Sequence, residues 1–251
     1  MKPNLLISFS LGHCANDFVP IAMYVLIPAF GTALELSAVE IGLLFMIHSL
    51  GGSIAFLPAG LLADHIANRG VVLAGTFFWV GLGYLAASFS GSFWAFALLI
   101  AFANMADATW HPIATGVLAQ IHKSRRAYAL GVHAIGGNVA EVITLPACGL
   151  LLSFWDWRLA IQVLIIPTLL MGVYFVLIHH HVPRHVNSRP TRADFLAIWR
   201  IWSSGAGLRI ISIFVTYNMG LFAIITMTPL YLSRNHSFSW LQTATVMAVM
   251  M

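Results

Sequence analysis

Long apolar stretches separated by short polar connections run through the chain. About 20 consecutive apolar residues cross the hydrocarbon core of a bilayer as a helix. Seven stretches reach this length, at residues 5–31, 39–63, 71–89, 93–119, 127–153, 158–178 and 208–232. An eighth begins near Phe238 and stops at residue 251, so we expect it to be part of a longer span in a truncated chain. The pattern predicts an all-α integral membrane protein.

The composition supports a membrane protein. Hydrophobic residues make up 60% of the 251 residues and charged residues 8%, whereas a soluble domain carries about 25% charged residues. Cys14 and Cys148 both lie inside apolar stretches, so no disulfide framework is expected. His13, Asn16 and Asp17 interrupt the first stretch, and we therefore expect it to remain as a span instead of being cleaved as a signal peptide.

Positive charges fall mostly on one side of the predicted membrane. That side contains Lys2, Arg69, Lys123, Arg125, Arg126, Arg184, Arg189, Arg192, Arg200 and Arg209. The opposite side contains Arg158 and Arg234. The positive-inside rule then places the N-terminus and the connection 179–207 in the cytoplasm, with the protein crossing the inner (plasma) membrane several times. This distribution accounts for the net charge of +4, and no nucleic acid partner is expected.

Three acidic residues lie near the centres of predicted spans: Asp17, Asp107 and Glu141. A charged side chain there costs about 2.5–3.5 kcal/mol, and such residues commonly mark ligand sites or proton pathways. Each has polar neighbours on its own helix, including histidines suited to holding a proton near neutral pH. We predict a polar cavity for substrate and coupling protons formed by His13, Asn16, Asp17, Asn104, Asp107, His111, His133, Asn138 and Glu141.

Other histidines and glycines are expected to have structural roles. A single histidine in a membrane helix usually makes a helix–helix hydrogen bond, and we expect that of His48. The glycines at Gly51–Gly52 and at Gly81 and Gly83 are expected to permit close helix packing. No spacing of the H-E-x-x-H type is present, so neither a metal site nor a cofactor is predicted.

The connection between the second and third spans, Gly60–Gly70, reads GLLADHIANRG. It resembles the loop signature of the major facilitator superfamily of transporters. The resemblance implies that Gly60 allows helices to approach closely, and that Asp64 and Arg69 form a cytoplasmic charge latch.

Three further stretches resemble the fosmidomycin resistance group of drug exporters within that superfamily. They are SLGHCAND at Ser10–Asp17, WHP at Trp110–Pro112 and GGN at Gly136–Asn138. The stretch LPACG at Leu145–Gly149 is similar to part of the antiporter motif of the superfamily.

The resemblance implies a fold class and a domain organisation. The expected fold is a major facilitator-type helical bundle, whose complete form has twelve helices in two halves built from inverted three-helix repeats. Residues 1–178 would form the N-terminal six-helix half, 179–207 a cytoplasmic inter-half loop, and 208–251 the start of a truncated C-terminal half. Spans one and four would then line a central cavity, and the missing half would supply its second wall.

The predicted function is secondary active transport, with proton-coupled export of a small organic compound or drug. An enzyme is not expected. Proton symport of a small metabolite or anion remains an alternative, as does an inactive fragment. A further alternative is a non-transporting intramembrane metal-binding protein that uses His13, Asp17, Asp107 and His111. The substrate, the direction of transport and the stoichiometry stay open at this stage.

The charge asymmetry predicts which connections face the cytoplasm. In a background lacking Cys14 and Cys148, single cysteines at Ser188 and Ser237 should react with an impermeant thiol reagent from opposite sides of the membrane. Ser188 should react from the cytoplasm alone. Labelling of position 188 in intact cells would contradict the predicted orientation.

Overall fold

Helices account for most of the computed structural model, which describes residues 3–63, 65–184 and 191–251. The helices are α1 (Leu5–Ala33), α2 (Ala38–Ala63), α3 (Arg69–Ser88), α4 (Phe93–Ile121), α5 (Arg126–Phe154), α6 (Trp157–Leu164), α7 (Ile166–Ile178), α8 (Arg192–Ser203), α9 (Gly205–Asn235) and α10 (Trp240–Met250). A 3₁₀ turn at His179–His181 follows α7.

Seven spans among the described residues are long and apolar enough to cross a membrane, which confirms the predicted all-α class. Helices α1 to α5 and α9 each supply one span, and Trp157–His181 supplies another. That span is divided at Ile165, directly before α7, which has a proline in its first turn. Pro167 has no backbone N–H to donate to the preceding turn, so the helix is interrupted there.

Side chains in the connections fix where several spans begin. The Asn4 side chain accepts hydrogen bonds from backbone N–H groups of the first turn of α1. Ser92 does the same for α4 and Asp156 for α6. These caps satisfy N–H groups that have no partner within the helix.

The connection 179–207, predicted as a loop, contains the helix α8. Its first turn is closed by a capping box between Thr191 and Asp194. Hydrogen bonds from the Thr191 hydroxyl and backbone N–H to the Asp194 carboxylate hold the pKa of that carboxyl below its usual range. Phe195 and Trp199 of α8 are exposed among the described residues.

Helix pairing shows an internal symmetry. Helix α1 packs along α5 and α2 packs along α4, and these are among the most extensive contacts. If α1 is matched to α4 and α2 to α5, the pair α1–α5 corresponds to the pair α4–α2. Because α1 and α4 are an odd number of crossings apart, they run in opposite directions, as expected for inverted repeats.

Glycines at matching positions allow both pairs to approach closely. A Cβ atom on Gly51 of α2 would overlap the Ala101 carbonyl of α4, and a Cβ on Gly136 of α5 would overlap the Ser10 carbonyl of α1. The expectation that Gly51–Gly52 permits close packing is therefore confirmed.

The pair Gly81 and Gly83 behaves in the same way. Added Cβ atoms there would lie 2.5 Å from the Leu169 side chain and 2.9 Å from Ala103. A Cβ on Gly60 would meet no described atom within 4 Å, so the close approach implied for this glycine does not involve the described helices and stays a prediction. Gly60 lies near the end of α2, on a surface that the described helices leave open.

A short sequence repeat underlies the two close contacts. His48–Gly52 reads HSLGG and His133–Gly137 reads HAIGG. The Asn104 amide donates to the His48 carbonyl at 2.9 Å, and the His13 imidazole bonds the His133 carbonyl at 2.8 Å. Two equivalent interhelical hydrogen bonds therefore end on the carbonyls of the repeated histidines.

The glycine contacts generate a stability prediction. Gly51→Ala and Gly136→Ala should each lower the free energy of unfolding by about 1–3 kcal/mol, because the added methyl group overpacks a backbone contact. The measurement is unfolding of the detergent-solubilised chain by heat or by titrated denaturing detergent.

Gly116→Ala on α4 and Gly131→Ala on α5 are matched controls, because a Cβ there would meet no described atom within 4 Å. They should be neutral or stabilising by up to about 1 kcal/mol, since alanine favours the helix. Equal losses in test and control variants would contradict the close-approach interpretation.

Candidate functional site

Helices α1 and α4 meet at one wall of a cavity of about 840 Å³. Asp17, Asp107 and His111 line it from these two helices. The opposite wall includes Asn218 and Thr226 of α9. The side chains of Asp17, Asp107 and His111 retain 16%, 15% and 25% exposure, so water and small ions in the cavity can reach them.

The Asn16 amide links the two carboxylates. Its Nδ2 donates to Asp17 Oδ1 at 3.2 Å and also donates to Asp107 Oδ1. Asn16 is fully buried. Asn16 and Asp107 are 91 positions apart, the same separation as Ser10 and Ala101 of the glycine contacts. A contact between equivalent positions of two repeats lies at the axis that relates them, so the candidate site lies on the internal symmetry axis.

His111 lies between the same two acids. Its Nε2 is 3.5 Å from Asp17 Oδ1 and 3.6 Å from Asp107 Oδ1. Asp107 precedes His111 by one helical turn, whereas Asp17 is contributed by α1. One imidazole therefore connects carboxylates of both helices.

His13 contacts Asp17 on its own helix and the backbone of α5. Its Nδ1 bonds the His133 carbonyl at 2.8 Å. A carbonyl can only accept, so Nδ1 carries a hydrogen. Its Nε2 is 3.2 Å from Asp17 Oδ2. A hydrogen bond between those two atoms requires one more proton, carried either by the imidazole or by the carboxyl group.

The His13 ring packs against the rings of His133 and Trp110. The His13 and His133 rings stack at 4.3 Å between centroids, and the Trp110 ring stacks on His133 at 5.4 Å. His133 Nδ1 donates to the Phe9 carbonyl at 3.2 Å. Close approach of α5 is again due to a glycine, because a Cβ on Gly137 would lie 2.9 Å from the His13 ring.

The remaining predicted site residues are Asn104, Asn138 and Glu141. Asn104 lines the cavity and donates to the His48 carbonyl. Asn138 is exposed and Glu141 is half-buried on α5, and neither is among the residues that line the cavity. The structure therefore brings together His13, Asn16, Asp17, Asp107, His111 and His133, whereas Asn138 and Glu141 do not line this cavity.

His48 makes the hydrogen bond expected of it. Its Nε2 lies 2.8 Å from the Tyr84 hydroxyl, which joins α2 to α3. His48 also forms part of the cavity wall.

The predicted charge latch is described only in part. Asp64 lies outside the described residues. The Arg69 guanidinium is buried and donates to the Ala63 carbonyl and to Gln120 Oε1, each at 2.8 Å. These bonds connect the start of α3 to the end of α2 and the last turns of α4.

Sequence reasoning missed two features of the site. Trp110 was considered only as part of a motif, although it is fully buried beside the histidines. Asn16 was predicted as a neighbour of Asp17 and not as a bridge to α4. The repeated HSLGG and HAIGG strings would have revealed the equivalence of α2 and α5, and with it the equivalence of α1 and α4.

The structure also brings metal-ligating atoms together. His13, Asp17 and His111 each offer a donor atom, and these atoms lie within 4.8 Å of one another. These residues, with Asp107, are the ones named for the alternative of an intramembrane metal-binding protein, although the sequence has no spacing of the H-E-x-x-H type.

Comparison with protein families gives a match over nearly the whole chain. The family model described as "Major Facilitator Superfamily" matches residues 9–251. The "Uncharacterized transporter YybO" of Bacillus subtilis (strain 168) is 26% identical over 191 residues, which cover 72% of this chain and 42% of that protein. A "Probable sugar efflux transporter" of Helicobacter pylori (strain P12) is 25% identical over 177 residues, covering 69% of this chain and 44% of that protein. The chain spans less than half the length of these curated relatives.

Solved structures show the same fold. A bacterial homologue of the human lysosomal transporter Spinster, inward-facing and unoccupied, superposes with a TM-score of 0.77 at 18% identity, covering 98% of this chain and 59% of that one. A POT family transporter in complex with 5-aminolevulinic acid gives 0.66 at 14% identity, covering 92% of this chain and 50% of that one. The predicted major facilitator-type helical bundle is confirmed.

The Asn16 bridge predicts energetic coupling between α1 and α4. In a double-mutant cycle, Asn16→Ala and Asp107→Ala should show a coupling of about 1.5–3 kcal/mol in the free energy of unfolding, as for a hydrogen bond to a charged group. The pair Asn16→Ala and Asn138→Ala is the control, and its effects should add within about 0.5 kcal/mol. Additive effects for Asn16 and Asp107 would show that the bridge contributes nothing to stability.

Proposed function

Because the chain belongs to the Major Facilitator Superfamily, we propose that it exports a small organic compound in exchange for protons. The observation that carries this proposal is the contact of His13 Nε2 with Asp17 Oδ2 at 3.2 Å, beside the wall of the cavity. Asp107, His111 and Asn16 extend the same network across α1 and α4.

The acids and histidines of this network can bind and release protons while they remain at the cavity wall. Its two carboxylates and two imidazoles form three close pairs, in which the nitrogen and oxygen atoms are 3.2–3.6 Å apart. Adding a proton to either acid cancels a charge and changes which atoms can donate or accept. Since the Asn16 and His111 contacts join α1 to α4, each protonation step alters the bonding between these helices.

That change provides a link between proton binding and helix movement. A ligand shifts a conformational equilibrium only through a difference in its affinity for the two states. Protons would act in this way if the α1–α4 contacts differ between states open to opposite sides. A substrate bound in the cavity beside the acids would shift the same conformational equilibrium.

Export is favoured over the alternatives by the relatives. Several are named as probable sugar efflux transporters, so a small polar compound is a suitable first candidate. The family match favours transport over a non-transporting metal-binding protein. We also propose that the N-terminus is cytoplasmic, that the membrane is the inner membrane, and that a second half completes the cavity wall begun by α9.

The coupling proposal is tested with Asp17→Asn and Asp107→Asn. Each variant keeps the side-chain volume and removes the titratable group, so each should reduce pH-gradient-driven flux to less than about a tenth while the protein still inserts. Glu141→Gln should have a milder effect because this residue lies outside the cavity. The measurement uses vesicles containing the chain together with its proposed second half, with simple sugars and the cationic dye ethidium as test compounds.

Asp156→Asn is the matched control, because Asp156 caps α6 away from the cavity and asparagine caps a helix equally well. It should keep full flux. Retention of full pH-dependent flux by both Asp17→Asn and Asp107→Asn would overturn the proton role.

A further inference from the structure

We propose that His13, Asp17 and His111, supported by Asp107, form a binding site for a divalent transition-metal ion of the zinc class. This inference goes beyond proton-coupled transport and rests on the positions of the donor atoms. The test measures metal binding without a pH gradient or a substrate. The metal site can therefore be disproved while proton-coupled transport holds, and transport can be disproved while the metal site holds.

The spacing of the donor atoms fits one tetrahedral ion. Nitrogen and oxygen ligands about 2.1 Å from zinc lie about 3.4 Å apart at the corners of a tetrahedron. His13 Nε2 is 3.2 Å from Asp17 Oδ2, whereas His111 Nε2 is 3.5 Å from Asp17 Oδ1 and 3.6 Å from Asp107 Oδ1. The donor atoms of His13, Asp17 and His111 all lie within 4.8 Å of one another, so small side-chain adjustments suffice to enclose an ion.

The ligand types also fit. Two imidazoles and two carboxylates are the nitrogen and oxygen donors that zinc accepts in proteins. The two carboxylate charges would offset the charge of a divalent ion inside the membrane, where an uncompensated ion is costly.

One ligand is already oriented for a metal. A metal-binding histidine usually donates its second ring N–H to a carbonyl or carboxylate, which turns the free nitrogen toward the ion. His13 makes this arrangement, because Nδ1 donates to the His133 carbonyl and Nε2 faces Asp17. The stacked His133 ring restrains the His13 ring further.

An ion can reach the site from the cavity. Asp17, Asp107 and His111 line the cavity wall, and His13 keeps 16% of its side chain exposed. Asn16 donates to Oδ1 of both carboxylates, the oxygens that also face His111, and leaves Asp17 Oδ2 to face His13. A carboxylate oxygen can accept a hydrogen bond and still bind a metal ion through its other lone pair.

The test is equilibrium binding of Zn²⁺ and of Co²⁺ to the purified chain in detergent. Because the run His179–His181 is an independent potential metal binder, all measurements use a background in which these three residues are changed to glutamine. We expect one saturable site per chain, with His13→Gln, Asp17→Asn and His111→Gln each weakening binding by at least about tenfold. His48→Gln is the matched control, since His48 lines the same cavity but bonds Tyr84, and it should bind as tightly as the background.

Because the ligand substitutions could unfold the chain, a second variant gives a spectroscopic signal of metal binding instead of a loss of binding. Asp17→Cys supplies a thiolate donor, so Co²⁺ bound there should show sulfur-to-cobalt charge-transfer absorption. Asp17→Asn should lack this band although Cys14 is still present. The proposal is overturned by absence of saturable binding in the background, by equal binding in the cluster variants and His48→Gln, or by absence of the band in a folded Asp17→Cys protein.

Discussion

The hydrogen bonds from the Asn16 amide to Asp17 and Asp107 are the contact on which the site depends. Two carboxylates inside membrane helices are costly unless they are paired or bonded. Asn16 bonds both, and His13 and His111 lie within 3.6 Å of them. The requirement to satisfy these acids fixes how α1 meets α4. The close approach of α5, made possible by Gly136 and Gly137, then places His133 against His13.

The backbone contacts of the two three-helix repeats are symmetric, whereas the polar side chains of the site are not. Equivalent glycines and equivalent carbonyl hydrogen bonds hold α2 against α4 and α5 against α1. The side chains that titrate do not follow this symmetry. Asn104 occupies the position equivalent to His13, and Ala108 the position equivalent to Asp17. The repeats therefore build the same backbone contacts twice, whereas the pairs His13–Asp17 of α1 and Asp107–His111 of α4 occupy positions that are not equivalent.

The sequence was sufficient to predict the spans, the all-α class and the acids that occupy the membrane interior. It also predicted the pairs His13–Asp17 and Asp107–His111, because residues four apart share a helical face. Rotation of a helix about its axis is decided by packing against other helices, which a single-helix pattern does not contain. For this reason Asn138 and Glu141 were grouped with His133, although the structure leaves Asn138 exposed. Hydropathy also does not predict that the described helices leave Gly60 uncovered, because this depends on helix contacts. It does not predict the helix α8 within the long connection, because this helix depends on its capping box.

The same donor atoms would serve protons and a metal ion in different ways. A proton needs one lone pair, so it can remain on His13, Asp17 or Asp107 while the helices move relative to one another. A metal ion needs several donors at once, and these come from both α1 and α4. It would therefore bind the arrangement in which those helices are together and oppose any movement that separates them. In a transporter that alternates between two openings, protons would be compatible with the whole cycle, whereas a bound metal ion would hold the protein in one state.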